Sequence, residues 1–383
     1  MLTSIDIIFD EGRIYLIIYA CLAMAMIIEL FYENEILAKW MARAGALTII
    51  LLIGLRWETG TDWFPYYKIF YTSDSSSDYE SVVFGIDYGY IIFNKLVYLF
   101  SREYTVFLMI DAIVAVGAVY VFIERSTKLP CMGIFLFYAS YGMTHFMGSN
   151  RRMIAIGFTC VGFLFLARPR RLSQGWPRWV VPFGLAALMH RTSVAALPGL
   201  IVSEKAWRAP TVIFILVMSL ALGITGISFS LLEGLANALS QYAGLSVVSK
   251  LVFYTSGDAQ YDANTDFARQ AILGALKRGS VIAILVMYMK YAKPSPYVQK
   301  LYNIYIAGCA IYFSMIAAPI FQIISTYYSI VEIVLMPLVF YDLKSLKVPY
   351  TLYLLVFALA LLLSSLTPYL ELYVPYHSVY SVY

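Results

Sequence analysis

Charged residues are scarce in this chain. Asp, Glu, Lys and Arg make up 13% of its 383 residues, about half of the roughly 25% usual in a soluble domain. Hydrophobic residues reach 61% and the mean hydropathy is +0.75, more apolar surface than a water-soluble core can bury. A soluble enzyme, a nucleic-acid binder and a disordered tail are thereby excluded, and the fold class that remains is an all-α polytopic membrane protein. Histidine is limited to His145, His190 and His377, and the four cysteines lie far apart in apolar stretches. No CxxC or Cys/His spacing offers a metal or disulfide framework. A P-loop, a nucleophile elbow and an internal repeat are also missing, and the last of these weighs against a transporter built from repeated halves.

Apolar runs fall at about 14–32, 41–55, 104–123, 130–147, 153–167, 179–202, 211–232, 267–289, 301–318, 320–341 and 350–367. Each reads as a helix, because an open strand cannot satisfy its backbone in lipid. About 11–12 transmembrane or re-entrant helices are expected, in one integral membrane domain over 1–383. The first run has no small-residue cleavage site after it and reads as a retained span.

Basic residues mark the cytoplasmic side. Arg168, Arg170, Arg171 and Arg178 form one such loop; Lys290, Lys293 and Lys300 a second; Lys344 and Lys347 a third. By contrast, 56–88 carries six acids against two bases, and 257–266 carries three aspartates and no base. This asymmetry predicts external loops at 56–103 and 233–266, with both termini outside. Parity requires that 87–100 not cross, so an interfacial helix is expected there. It also favours a broken hairpin over 179–203, with His190 and Arg191 at the floor of an outward-facing cavity.

Four polar constellations could carry chemistry. The loop Arg56-Trp-Glu-Thr-Gly60-Thr-Asp62 with Tyr66 follows the second apolar run. It reads either as an aromatic belt with an Arg–Asp pair or as a substrate loop, arginine on phosphate and Asp62, Tyr66 or Asp87 on sugar hydroxyls. Asn150-Arg151-Arg152 opens a helix, where cations oppose the macrodipole, so an anionic partner is expected: a phosphate, or a carboxylate such as Asp62 or Asp87. His190-Arg191 sits at an expected chain reversal within the membrane, a site by default in a membrane chain. Arg269, Lys277 and Arg278 lie along the run 267–289 and suit either ion pairing or substrate binding. Several arginines, one histidine and a few carboxylates suit an anionic, lipid-borne substrate with a diphosphate head.

These residues resemble the EpsG family of Wzy-like polymerases of bacterial exopolysaccharide and O-antigen. The family's Arg and Gly-Thr-Asp-aromatic-x-x-Tyr loop is matched by Arg56, Gly60, Thr61, Asp62, Trp63 and Tyr66. Its next motif is matched by Asp87-Tyr88-Gly89-Tyr90 with Asn94, and its Arg-Gln-x-aliphatic-Ala by Arg151, Arg152 and Ala155, arginine replacing the glutamine. Its Leu-Ala…His near Leu-Pro is matched by Leu185, Ala186, His190, Leu197 and Pro198. The resemblance implies a GT-C-like glycosyltransferase of the bacterial cytoplasmic (inner) membrane, needing no metal or cofactor. It would polymerise undecaprenyl-diphosphate-linked oligosaccharide repeats on the external face, with a flippase and a chain-length regulator as partners and no nucleic acid. Arg151 and Arg56 would bind the diphosphate, supported by Arg152 or Arg191, and Asp62 or His190 would be the base. A flippase of lipid-linked sugars and an O-antigen-ligase-like transferase are the rival readings.

Overall fold

The computed structural model describes residues 2–73, 85–166, 172–242, 251–253, 255, 267–292, 294–343 and 347–381. The described residues are mostly helical, and each apolar run above is largely helix among them. It forms two compact units: Met1–Val194 with Glu332–Tyr383, and Ala195–Val331.

The first unit contains α1 (Leu2–Asp10), α2 (Arg13–Tyr32), α3 (Glu35–Gly54), α4 (Trp63–Tyr71), α5 (Tyr88–Phe100), α6 (Tyr104–Ser126), α7 (Pro130–Phe137), α8 (Asn150–Leu166) and α9 (Leu172–Met189). Local signals set several of these boundaries. The Asn34 side chain accepts the Leu37 N–H at 3.0 Å and caps α3, satisfying one of the donors a helix start leaves open. Helix α7 has no cap of its own. Instead Glu29 of α2 reaches across and accepts the Cys131 and Met132 N–H groups at 2.8 and 2.9 Å. A carboxylate facing a helix N-terminus is favoured by both hydrogen bonding and the macrodipole, which accounts for a buried glutamate in this position.

After α7 the chain continues as a π-helical stretch, Tyr138–Met147, a wide turn that turns up often beside functional sites. It delivers the chain to α8, the helix at the centre of this unit. α8 packs between α6 and α9. Contact with α6 is close enough that a Cβ on Gly157 would sit 2.8 Å from the Ala115 carbonyl; small residues let membrane helices approach in this way. α9 ends at Met189, and the chain resumes as a 3-10 helix, Arg191–Leu200. The break falls at His190, as the sequence reading places it.

Six helices among the described residues are long and apolar enough to cross a membrane. The count becomes seven if Ala209–Ile224 and Ile227–Leu239, bent by 62°, form one span. The remaining runs are shorter, interrupted or more polar. α5 is one of the short ones. Its 13 residues cover about 20 Å at 1.5 Å per residue, too little for a core of roughly 30 Å. Tyr90, Asn94 and Val97 are buried on one side, while Tyr88, Ile92, Leu96, Leu99 and Phe100 are exposed on the other.

In the second unit, α10 (Ala209–Ile224) packs on α13 (Pro296–Ser314), with α11 (Ile227–Leu239) and α12 (Phe267–Tyr291) between them in the chain. Asn303, fully buried, fastens the preceding loop. Its amide donates to the Ser203 and Lys205 carbonyls and its carbonyl accepts the Trp207 N–H. Lys300, read from sequence as a loop cation, is buried and donates to the Leu200 carbonyl at 3.4 Å. Two helices return to the first unit, α14 (Glu332–Asp342) and α15 (Lys347–Leu366). The expected external loop 233–266 lies largely outside the described residues beyond Tyr242.

Candidate active site

The loop after α3 is built around backbone contacts. Gly60 has φ +108°, and a Cβ there would lie 2.4 Å from the Met147 carbonyl oxygen. Only glycine meets both conditions without strain. Thr61 donates to the Gly148 carbonyl at 2.9 Å. From the other side the C-terminal segment runs against the loop: the Trp57 N–H donates to the His377 carbonyl, the Gly60 N–H to Leu372 and the Val379 N–H to Leu55. Trp63 then stacks on Tyr67 with centroids 5.0 Å apart and meets Trp57 and Tyr104 at its edges. Such pairs contribute about 0.5–1.5 kcal/mol each beyond burial, so the aromatic richness of this loop is structural.

Arg56 is fully buried. Its Nη2 donates to Asn150 Oδ1 at 2.5 Å and its Nη1 to the Phe146 carbonyl at 3.3 Å. The guanidinium, expected from sequence to bind the diphosphate, grips the chain just before α8 at Phe146 and Asn150. No Arg56–Asp62 ion pair forms among the described residues.

The charged centre forms around Asp87, which stands at the start of α5 and is 4% exposed. Oδ2 accepts Arg151 Nη1 at 2.8 Å; Oδ1 accepts Arg191 Nε at 2.7 Å and the Arg191 backbone N–H at 3.2 Å. His190 Nδ1 lies 3.3 Å from Oδ2. Residues from three distant parts of the sequence thus meet on one carboxylate. Arg151 also donates through Nε to the Tyr66 hydroxyl at 3.2 Å, which in turn bonds Ser149 Oγ at 3.0 Å. The carboxylate partner foreseen for the α8 arginines is therefore Asp87, and it takes Arg151.

Burial by itself would raise the Asp87 pKa, but hydrogen bonds from His190 and Arg191 and the charge of Arg151 hold it well below the usual carboxylate range. His190 is pushed down to about 4: burial and the charges of Arg151 and Arg152 outweigh the pull of Asp87. The 3.3 Å His190–Asp87 contact is thus a hydrogen bond of a neutral imidazole, not an ion pair at neutral pH. Nδ1 carries the proton toward Asp87, and Nε2 keeps its lone pair.

Arg152 behaves differently from its neighbour. Its Nε is buried and has no hydrogen-bond partner among the described residues, while its charge acts on Asp62 and His190. Asp62 is pushed above the usual carboxylate range by burial, against the charges of Arg152 and Arg151 and a hydrogen bond from Ser149. Among the described residues, Arg151 and Arg191 meet Asp87, and the charges of Arg152 and Arg151 act on Asp62.

Arg269, Lys277 and Arg278 belong to the second unit. Arg278 lies over the Tyr312 ring at 3.2 Å and donates to the Gly274 carbonyl at 3.4 Å; the Arg269 side chain lies outside the described residues. Sequence reasoning missed Ser149, the C-terminal segment 372–379 and Asp111. Asp111, the one acid in the middle of run 104–123, carried a usable signal, since an ionisable residue inside a span calls for a partner.

No curated protein and no solved structure matches this sequence. The EpsG family does, over residues 39–378, a stretch that includes the loop after α3, the Asp87 cluster, both α8 arginines, the His190 break and nearly all of the C-terminal segment. The chain therefore belongs to the EpsG family of Wzy-like polymerases, the membrane enzymes that polymerise polysaccharide.

Proposed function

We propose that this polymerase joins oligosaccharide repeats carried on undecaprenyl diphosphate, at the outer face of the bacterial cytoplasmic membrane. The observation that carries the reading is the Asp87 cluster, where an imidazole with a free Nε2 stands among three guanidiniums. In this reading Arg152, with Arg151 and Arg191, holds the diphosphate of the donor lipid. His190 Nε2 takes the proton of the acceptor hydroxyl as that oxygen bonds to the donor's anomeric carbon. The bond from that carbon to the diphosphate oxygen breaks, and the electron pair leaves with the diphosphate, whose charge the arginines stabilise. Asp87 holds the imidazole in its donor-to-Asp tautomer, the task of an orienting carboxylate. Asp62, with a raised pKa, suits a hydrogen-bonding role toward sugar.

The external placement is supported by charge. α3 has 20 residues, about 30 Å of helix, so Lys39 and Arg43 lie at one end and the Arg56 loop at the other. The exposed apolar face of α5, beginning beside Asp87, suits a helix resting in the lipid interface.

The test is genetic and chemical. Cells without this chain should accumulate a single lipid-linked repeat, and complementation should restore a ladder of longer glycans. Arg151→Ala, expressed at the normal level, should leave only the single repeat. A normal ladder from that variant would overturn the assignment.

A further inference from the structure

Arg151 is held at two of its three nitrogens. Nη1 donates to Asp87 at 2.8 Å and Nε to the Tyr66 hydroxyl at 3.2 Å, while Nη2 makes no bond among the described residues. The mechanism uses the first contact and leaves the second without a task. Tyr66 is 3% exposed, and its oxygen also lies 3.0 Å from Ser149 Oγ. A guanidinium can only donate, so the Tyr66 oxygen accepts from Arg151. The hydroxyl's own hydrogen then goes to Ser149 Oγ. If Ser149 donated instead, that hydrogen would be buried without an acceptor among the described residues, and buried polar groups are nearly always paired. The bonds therefore run in one direction, from Arg151 to Tyr66 to Ser149.

Both ends of this chain belong to the start of α8. Ser149 stands directly before the helix, and its carbonyl accepts the Met153 N–H at 3.0 Å. A serine in that position commonly turns its hydroxyl onto the first N–H groups of its own helix; here the hydroxyl receives Tyr66. One phenol thus clamps the helix start and the arginine that projects from it. The phenol is itself fixed. Its ring meets Tyr90 of α5 edge-on with centroids 5.4 Å apart, and both rings belong to the core shared by α4, α5 and α6. Asp87, the other anchor of Arg151, stands at the start of the same α5.

We propose that Tyr66 is a positioning residue of the polymerase: together with Asp87 it locks the Arg151 guanidinium in one orientation, so that Nη2 is the donor left for the diphosphate. In this role Tyr66 touches no substrate. It decides where a charge-stabilising group stands, and a displacement of about 1 Å in such a group can cost on the order of a hundredfold in rate. The part of this inference that concerns rate rests on the polymerase reading; the part that concerns the Tyr66–Arg151 clamp does not.

The experiment uses the full-length protein in lipid nanodiscs with Tyr66→Phe, Arg151→Lys and the pair. Tyr66→Phe keeps the ring and its packing and removes only the hydroxyl. Arg151→Lys keeps the charge and removes the Nε–H. The rate of glycan lengthening is followed against the concentration of lipid-linked repeats extracted from the deletion strain, and the thermal midpoint is measured beside it. Tyr66→Phe should lower kcat by about tenfold or more, with KM within about threefold. A smaller fall in kcat overturns the proposal, because packing alone would then account for Tyr66. A larger rise in KM also overturns it, because that marks direct contact with substrate. In the thermal cycle, Tyr66→Phe should lower the midpoint by stranding a buried Nε–H. It should lower it less than half as much in the Arg151→Lys background, where that donor is gone. Equal losses in the two backgrounds refute the clamp. If Tyr66→Phe does not accumulate in the membrane, the pair decides: recovered accumulation supports the clamp, continued loss refutes it. A wild-type protein that lengthens nothing defeats the polymerisation reading, while the thermal cycle still judges the clamp.

Discussion

His190 makes the account measurable through pH. Its folded pKa is about 4, below the roughly 6.5 of an unfolded histidine. A depressed folded pKa means that the unfolded chain takes up the proton first. The histidine's contribution to stability is therefore complete above about pH 6.5 and drains away as pH falls toward 4. With the side chain 14% exposed, little discount for solvent screening applies, and the linkage relation gives a loss of about 2 kcal/mol between pH 7 and pH 5. His190→Gln keeps a hydrogen-bond donor toward Asp87 but cannot titrate. Thermal unfolding of the purified protein in nanodiscs, followed by intrinsic fluorescence at pH 7, 6 and 5, should show a steeper fall for wild type than for the variant. All other side chains are common to both proteins, so the difference reports His190 and its contact with Asp87. Equal slopes would refute the neutral imidazole and with it the free Nε2 on which base catalysis depends.

Other outcomes follow from the same geometry. Arg152→Ala should leave the thermal midpoint within a degree or two, since its buried Nε has no hydrogen-bond partner among the described residues, yet abolish glycan lengthening in the complementation assay. Gly60→Ala should destabilise by about 1–3 kcal/mol, because it forces a side chain into positive φ against the Met147 carbonyl; reduced accumulation in the membrane would report it. Removal of residues 372–383 should cost activity even though no proposed contact with substrate is lost, because Leu372 and His377 hold the backbone of the Arg56 loop. Unchanged lengthening by that truncated chain would show that the loop stands without its latch.

Much of the architecture was legible because apolarity and chain continuity carry it. Each apolar run is largely helix among the described residues, and the break at His190 was marked by two polar residues interrupting apolar sequence. The short helix at 88–100 was inferred from the sidedness of its flanking charges. What hydropathy cannot carry is the kind of helix: the π stretch 138–147 and the 3-10 stretch 191–200 share the composition of α-helix, and hydrogen-bond spacing alone distinguishes them. The site was legible as a set of residue types and not as a geometry. Arg151, His190, Arg191 and Asp87 were singled out separately, but that one carboxylate gathers the other three follows from how α5, α8 and α9 pack. Arg56 was read either as half of an Arg–Asp pair or as a phosphate contact; that it is buried between the π stretch and the C-terminal segment follows from packing. The latch itself uses backbone N–H and C=O groups, which every residue has, so no residue type could announce it.

The central claim is that a lipid diphosphate binds at the Asp87 cluster, held by arginines and faced by His190. The most direct measurement is a cryo-EM structure of the full-length protein in nanodiscs containing undecaprenyl diphosphate. The account predicts phosphate density within hydrogen-bond distance of Arg152 and of Arg151 or Arg191, with His190 Nε2 turned toward the same space. Phosphate density seated instead on Arg278 in the second unit, with the Asp87 cluster empty, would contradict it.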